Sequence, residues 1–100
     1  MSERSAEVEL SEGVRALNMA DKVIDEIVMR VINKLYDDNI SLADSTYVRT
    51  YMLRFGRIER RIAVFVTEEK GVDKALVITK EDYDKINEDR KLPPWPTKKK

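Results

Sequence analysis

The chain has 100 residues, 19 basic and 19 acidic, 42% hydrophobic, with no cysteine and no histidine. This length supports one domain with one modest core, and this composition is typical of a globular protein rather than a disordered one. The missing thiols and imidazoles exclude disulfides, thiolate catalysis and the common zinc, iron and copper sites. Carboxylates alone remain as ligands for hard cations such as Mg²⁺, and nothing in the sequence points to such a site, so we expect no metal site, no cofactor, no catalytic residues and no enzymatic activity.

No apolar run reaches the length of a membrane span, and the acidic, polar N-terminus is unlike a signal peptide. We expect a cytoplasmic protein without a membrane partner. Abundant lysine, arginine and glutamate, with no glutamine, favours a heat-adapted source. Such a composition suits the small accessory proteins of thermophilic prokaryotes, including archaea, and of their viruses. The neutral total also conceals an asymmetry, because residues 1–44 carry ten acids against five bases and residues 45–100 carry fourteen bases against nine acids.

The first element in chain order is a leader with neither a helical apolar face nor turn chemistry. We expect residues 1–10 to be a flexible leader, extended at most over residues 6–10, ahead of a single domain over residues 11–91. The strongest helical signal follows the leader, since apolar residues recur at three- and four-residue spacing. They are Val23, Ile24, Ile27, Val28, Val31, Ile32 and Leu35. These residues predict one long helix.

The ends of this helix are marked by capping residues. Ser11 is a candidate N-cap for an early start and Asn18 for a later one, while Asn39 is a candidate left-handed terminator. Gly13 weakens the early turn, so a start at residue 12 and a start near residue 19 both remain open.

A β-hairpin is predicted next, because two segments rich in threonine, valine, isoleucine and aromatic residues flank Gly56 and Arg57. Glycine at the first central position favours a type II′ turn. In that register Arg54 lies opposite Glu59, and an opposite-charge pair across the strands stabilises the register. A second turn at Gly71 then leads into a third strand.

The last element is a short helix, with Thr79 and Asp82 as a capping-box-like start and with Pro93 and Pro94 after its end. Residues 92–100 form a tail rich in proline and lysine, which favours polyproline II. The predicted fold class is α+β: a long N-terminal helix packed on a three-stranded antiparallel β-meander, then a short C-terminal helix, in the order α-β-β-β-α.

The predicted register also separates the two faces of the hairpin. The face that carries Tyr47, Tyr51 and Phe55 is more apolar, so we expect it to pack under the long helix with these rings in or near the core. Buried rings cannot stack on bases, which argues against a base-stacking platform.

The arginines favour a different kind of nucleic-acid contact. They crowd the tip of the hairpin, and guanidinium groups match phosphates bidentately. We therefore expect a small non-enzymatic accessory protein that contacts the phosphates of DNA or RNA, or of a nucleoprotein complex. The candidate residues are Arg49, Arg54, Arg57, Arg60, Arg61, Lys98, Lys99 and Lys100.

An adaptor or accessory subunit that binds another protein is the alternative function. A three-stranded sheet leaves its second face open, and an open apolar face favours a partner or a homodimer. The rigid "PPWP" segment of the tail is a second candidate docking element, although it could instead fold back on its own core. The candidate partner-binding residues, together with the long helix, are Val48, Met52, Phe65 and Trp95.

Overall fold

A computed structural model describes residues 6–42 and 45–96 of the chain. The elements in chain order are β1 (Ala6–Leu10), α1 (Glu12–Arg15), α2 (Asp21–Asp37), β2 (Tyr47–Phe55), β3 (Ile58–Glu69), β4 (Val72–Thr79) and α3 (Lys80–Arg90). Within those ranges, no helix combines the length and the apolar character that crossing a bilayer requires.

The strands form one four-stranded mixed sheet in the order β1-β4-β3-β2. β2, β3 and β4 form the predicted antiparallel meander, and β1 pairs in parallel with β4. The α+β class is confirmed. The three-stranded sheet and the order α-β-β-β-α are wrong, since a strand precedes the helices.

β1 is the strand that the sequence did not reveal. It pairs from Ala6 opposite Asp73 to Leu10 opposite Val77, and so lies beside a strand near the other end of the chain. A short segment with exposed glutamates has little β signal by itself, and the free edge of β4 provides the missing partner. The folded part of the chain therefore includes residues 6–10, which were expected in the leader; residues 1–5 lie outside the described ranges.

The predicted long helix is α2, which begins close to the later of the two starts, and the residues before it form the separate short helix α1. Ser11 caps α1, where its hydroxyl accepts a hydrogen bond from the Val14 N–H at 3.4 Å. Asn18 has a φ of 55°, in the left-handed region, which ends the first helical segment rather than capping the second. Asn39, with a φ of 57°, follows the end of α2 as predicted.

Both faces of the sheet are covered, so the two central strands are apolar at consecutive positions. On one face, α1 and α2 pack on the sheet through a cluster that includes Val14, Val28 and Leu35. On the other face, α3 and the tail cover a smaller cluster around Phe65 and Tyr83. The face that was predicted to lie under the long helix does so.

Aromatic contacts hold α3 and the tail on the second face. Thr79 caps α3 as predicted, accepting from the Asp82 N–H at 3.2 Å. The rings of Phe65 and Tyr83 stack at 5.9 Å, and Trp95 meets Tyr83 edge-on at 5.3 Å. The Tyr83 hydroxyl also donates to the Pro93 carbonyl at 2.6 Å, so the first part of the tail folds back on the domain.

Candidate nucleic-acid interface

The tip of the β2–β3 hairpin extends beyond the rest of the sheet. The last residue of β4, Thr79, lies opposite Ile62 of β3 and is also the N-cap of α3. The chain leaves the sheet at that point, so residues 58–61 of β3 pair with β2 alone. We call residues 52–61, a two-stranded extension with its turn, the arm.

The turn of the arm has the predicted geometry. Gly56 has a φ of 64°, whereas Arg57 is not among the residues with positive φ, as a type II′ turn requires. Phe55 lies opposite Ile58 and Arg54 opposite Glu59, so the predicted register is confirmed.

Four exposed arginines and one exposed glutamate lie on the arm. Arg54 Nε lies 3.0 Å from the Glu59 carboxylate, and the Arg60 guanidinium donates to the backbone carbonyl of Glu59 at 3.0 Å. Within residues 6–42 and 45–96, Arg57 and Arg61 make no ion pair. The arm therefore has a net positive charge that the domain does not neutralise.

The alternation of side chains distributes these arginines around the arm. Arg54 and Arg61 belong to the face that α3 covers further along the sheet, whereas Arg60 belongs to the face under α1 and α2. Arg57 lies in the turn itself. Cationic groups thus point to both sides and to the end of the arm, an arrangement that can contact phosphates on two strands.

Apolar side chains are exposed between the arginines. Phe55 and Ile58, which face each other across the strands, are 42% and 51% exposed, and Met52 is 44% exposed. The expectation that Phe55 lies in or near the core is wrong, because the cover on this face extends only as far as Leu53, which packs against the core cluster; Tyr47 and Tyr51 pack against the core as expected. Sequence reasoning missed the exposed pair because the place where α1 and α2 stop covering this face depends on tertiary packing.

The other predicted basic residues are not on the arm. Arg49 lies nearer the start of β2, on the face under α2, where a hydrogen bond with Tyr47 raises the pKa of its guanidinium. It is exposed but belongs to the base of the hairpin. Lys98, Lys99 and Lys100 lie outside the described residues.

The candidate partner-binding residues do not form one open surface. Phe65 is 3% exposed beneath Tyr83, Trp95 is half-buried on the same ring, and Val48 packs against this cluster. Of these four residues only Met52 is exposed, at 44%. The expectation of an open second face is corrected, since α3 and the tail cover it. That these residues bind a partner stays a prediction.

A cleft of about 310 Å³ lies between the β1 edge of the sheet and the tail. Its charged groups are paired with each other, since Lys74 bridges Glu7 at 3.3 Å and Glu69 at 3.0 Å, and Arg90 reaches Glu9 at 3.2 Å. The hydrogen bonds to Glu69 and Glu7 raise the pKa of Lys74. Among the residues that the structure describes, no group of three or more acidic side chains is placed to hold a metal ion. The arm is thus the stronger candidate site.

Comparison with protein-family models, with curated proteins and with solved structures finds no significant match to this chain. The function is therefore inferred from the arm itself.

Proposed function

We propose that this protein is a small, non-enzymatic accessory protein that binds the phosphates of a nucleic acid through its arm. The observation that carries the proposal is a projecting two-stranded ribbon with four exposed arginines and a single carboxylate. Guanidinium groups form paired hydrogen bonds to phosphate oxygens, and each contact releases condensed counterions.

The shape of the arm supports the same function. A two-stranded β-ribbon is narrow enough to enter the major groove of B-form DNA. Because Arg60 and Arg61 belong to opposite faces, a ribbon in a groove presents a cation to each groove wall. Exposed acids and bases are mixed on α2, with Asp21, Asp25 and Glu26 near its start, so this helix attracts phosphates less than the arm does.

Fluorescence-anisotropy titration of single- and double-stranded oligonucleotides at several salt concentrations tests the proposal. The informative variant is Arg57→Ala with Arg61→Ala, because neither side chain makes an ion pair in the described parts of the chain. A matched control removes the same charge elsewhere: Lys22→Ala with Arg30→Ala, at exposed positions on α2.

Each phosphate contact on duplex DNA contributes about 0.9 to the slope of log K against log salt. We expect salt-dependent binding by the native protein, a slope lower by about 2 in the arm variant, and an unchanged slope in the control. Absence of binding by the native protein at low salt would reject the proposal and favour an acidic protein surface as the partner of the arm. An equal decrease of the slope in both variants would show that binding depends on the overall charge of the protein rather than on a site at the arm.

A further inference from the structure

We infer that Phe55 and Ile58 form an apolar wedge that enters between two base pairs of a DNA duplex and bends it. The inference rests on the proposed function and specifies its substrate: double-stranded DNA that can be kinked.

The exposure of this pair has a structural cause. Further along the sheet, the same face carries Tyr51 and Ile62, which pack against the core under α1 and α2. On the arm Leu53 of this face still packs against the core cluster, with Arg60 opposite it; beyond Leu53 the cover has ended, so Phe55 and Ile58 remain 42% and 51% exposed. Two large apolar side chains directly opposite each other at the end of a ribbon form one compact hydrophobic tip.

The charges around the tip indicate what it meets. Arg54, Arg57 and Arg60 lie within two residues of the pair along the chain, and no carboxylate other than Glu59 lies on the arm. Apolar side chains surrounded by cations are complementary to a site that is apolar at its centre and anionic at its edges. A base step between two phosphate backbones is such a site, and proteins that kink DNA insert apolar side chains there.

The arm also favours DNA over an RNA duplex. The deep, narrow major groove of A-form RNA is closed to side chains, whereas the major groove of B-form DNA admits a two-stranded β-ribbon. Because insertion must unstack a step, steps that are already weakened should bind more tightly.

The test uses a duplex of about 20 base pairs with a fluorescence energy-transfer pair at its ends and 2-aminopurine at a central step. The variant is Phe55→Thr with Ile58→Thr, which places a residue of high β propensity at both strand positions and keeps all the arginines. The control, Val23→Thr with Val72→Thr, changes two valines of similar exposure, 43% and 41%, away from the arm. Thermal unfolding of both variants shows whether they remain folded.

We expect the native protein to shorten the end-to-end distance, to raise 2-aminopurine fluorescence and to prefer a central mismatch about tenfold. The wedge variant should lose all three effects while it keeps salt-dependent binding, and the control should behave as the native protein.

Four results would overturn the inference. The first three are native binding without bending or unstacking, bending that persists in the wedge variant, and equal binding of an RNA duplex. The fourth is a native protein that is a dimer and a wedge variant that is a monomer, since a second copy would then cover the pair. Absence of any native binding is a different result, because it removes the proposed function itself.

Discussion

The carboxylate of Asp82, in the first turn of α3, accepts a hydrogen bond of 2.6 Å from the backbone N–H of Gly13 in α1. The two helix starts share further partners, because the Ser11 hydroxyl that caps α1 also accepts from the Thr79 N–H at 3.4 Å. Backbone N–H groups in the first turn of a helix have no partner within the helix. Here each helix start satisfies a donor of the other, which fixes the start of α1 to the start of α3.

Gly13→Ala should destabilise this junction. A Cβ at residue 13 would lie 2.5 Å from Thr79 Oγ1 and 2.6 Å from the Asp82 carboxylate, and both groups are held by their own capping bonds. We expect the free energy of unfolding to fall by about 1 to 3 kcal/mol, measured by urea denaturation. Glu12→Ala, at the exposed neighbouring position, is the control and should change it far less. An unchanged midpoint in Gly13→Ala would contradict the close packing.

Asp82 should also make stability depend on pH. Partial burial raises the pKa of this carboxylate, but its hydrogen bonds outweigh burial and lower the pKa below its usual value. The donors are the Ser11 hydroxyl, the Gly13 N–H and the Thr79 hydroxyl. A lowered pKa means that the stabilisation is complete above the unfolded pKa of about 3.9 and is lost as the pH falls through the folded value.

The variant Asp82→Asn isolates this contribution. It should be less stable than the native protein by about 1 to 2 kcal/mol at neutral pH, and the difference should shrink as the pH falls below about 4. Urea unfolding of both proteins across this range measures it. A difference that stays constant with pH would assign the effect to lost packing instead of the charge.

Trp95 should stabilise the domain and report on the tail. Its ring packs edge-on against Tyr83, and the Lys80 ammonium lies 5.6 Å from its ring centroid. We expect Trp95→Ala to lower the free energy of unfolding by about 1 to 2 kcal/mol, whereas Pro94→Ala, at an exposed position, should have little effect. As the chain has one tryptophan, its emission should shift to the red when the tail is released. Native emission already at the wavelength of free tryptophan would refute the docked tail.

The turn between β3 and β4 offers a stabilising substitution. Lys70 and Gly71 have φ values of 53° and 79°, the pattern of a type I′ turn, in which asparagine suits the first position better than lysine. Lys70→Asn should raise the free energy of unfolding by about 0.5 to 1 kcal/mol, and Gly71→Ala should lower it by at least as much. The melting temperature should rise in Lys70→Asn and fall in Gly71→Ala if the turn is type I′. Shifts of the same sign in both variants would argue against this turn type.

The arm arginines should contribute little to folding. Arg57 and Arg61 are exposed, and substitutions at such positions usually change stability by less than about 0.5 kcal/mol. The double alanine variant should therefore unfold at the native midpoint in urea. A large loss of stability would mean that a binding defect in this variant reflects damage to the fold.

The sequence predicted those features that depend on neighbouring residues. Gly56 determines the first turn, and the register follows from it; Thr79 and Asn39 mark helix ends through local backbone preferences. Ser11 and Asn18 were both candidate caps. Ser11 caps α1, whereas Asn18 has a left-handed backbone and ends the first helical segment.

The features that were missed depend on distant contacts. Ala6–Leu10 becomes a strand only beside β4, and the "PPWP" segment is placed by Tyr83. The arm arginines could be named from their positions around Gly56. The exposure of Phe55 could not be predicted, since it depends on where the cover by α1 and α2 ends, just beyond Leu53.

The parallel pairing of β1 with β4 also has a consequence for how the chain folds. The two hairpins join neighbouring segments and can close early, whereas Ala6 must find Asp73 across most of the chain, and such non-local pairs slow folding. During synthesis, β1 therefore leaves the ribosome well before its partner β4 is made. Until β1 docks, the outer edge of β4 is unpaired and can pair with other chains. The rate at which β1 docks should therefore set how strongly the refolding yield falls with protein concentration.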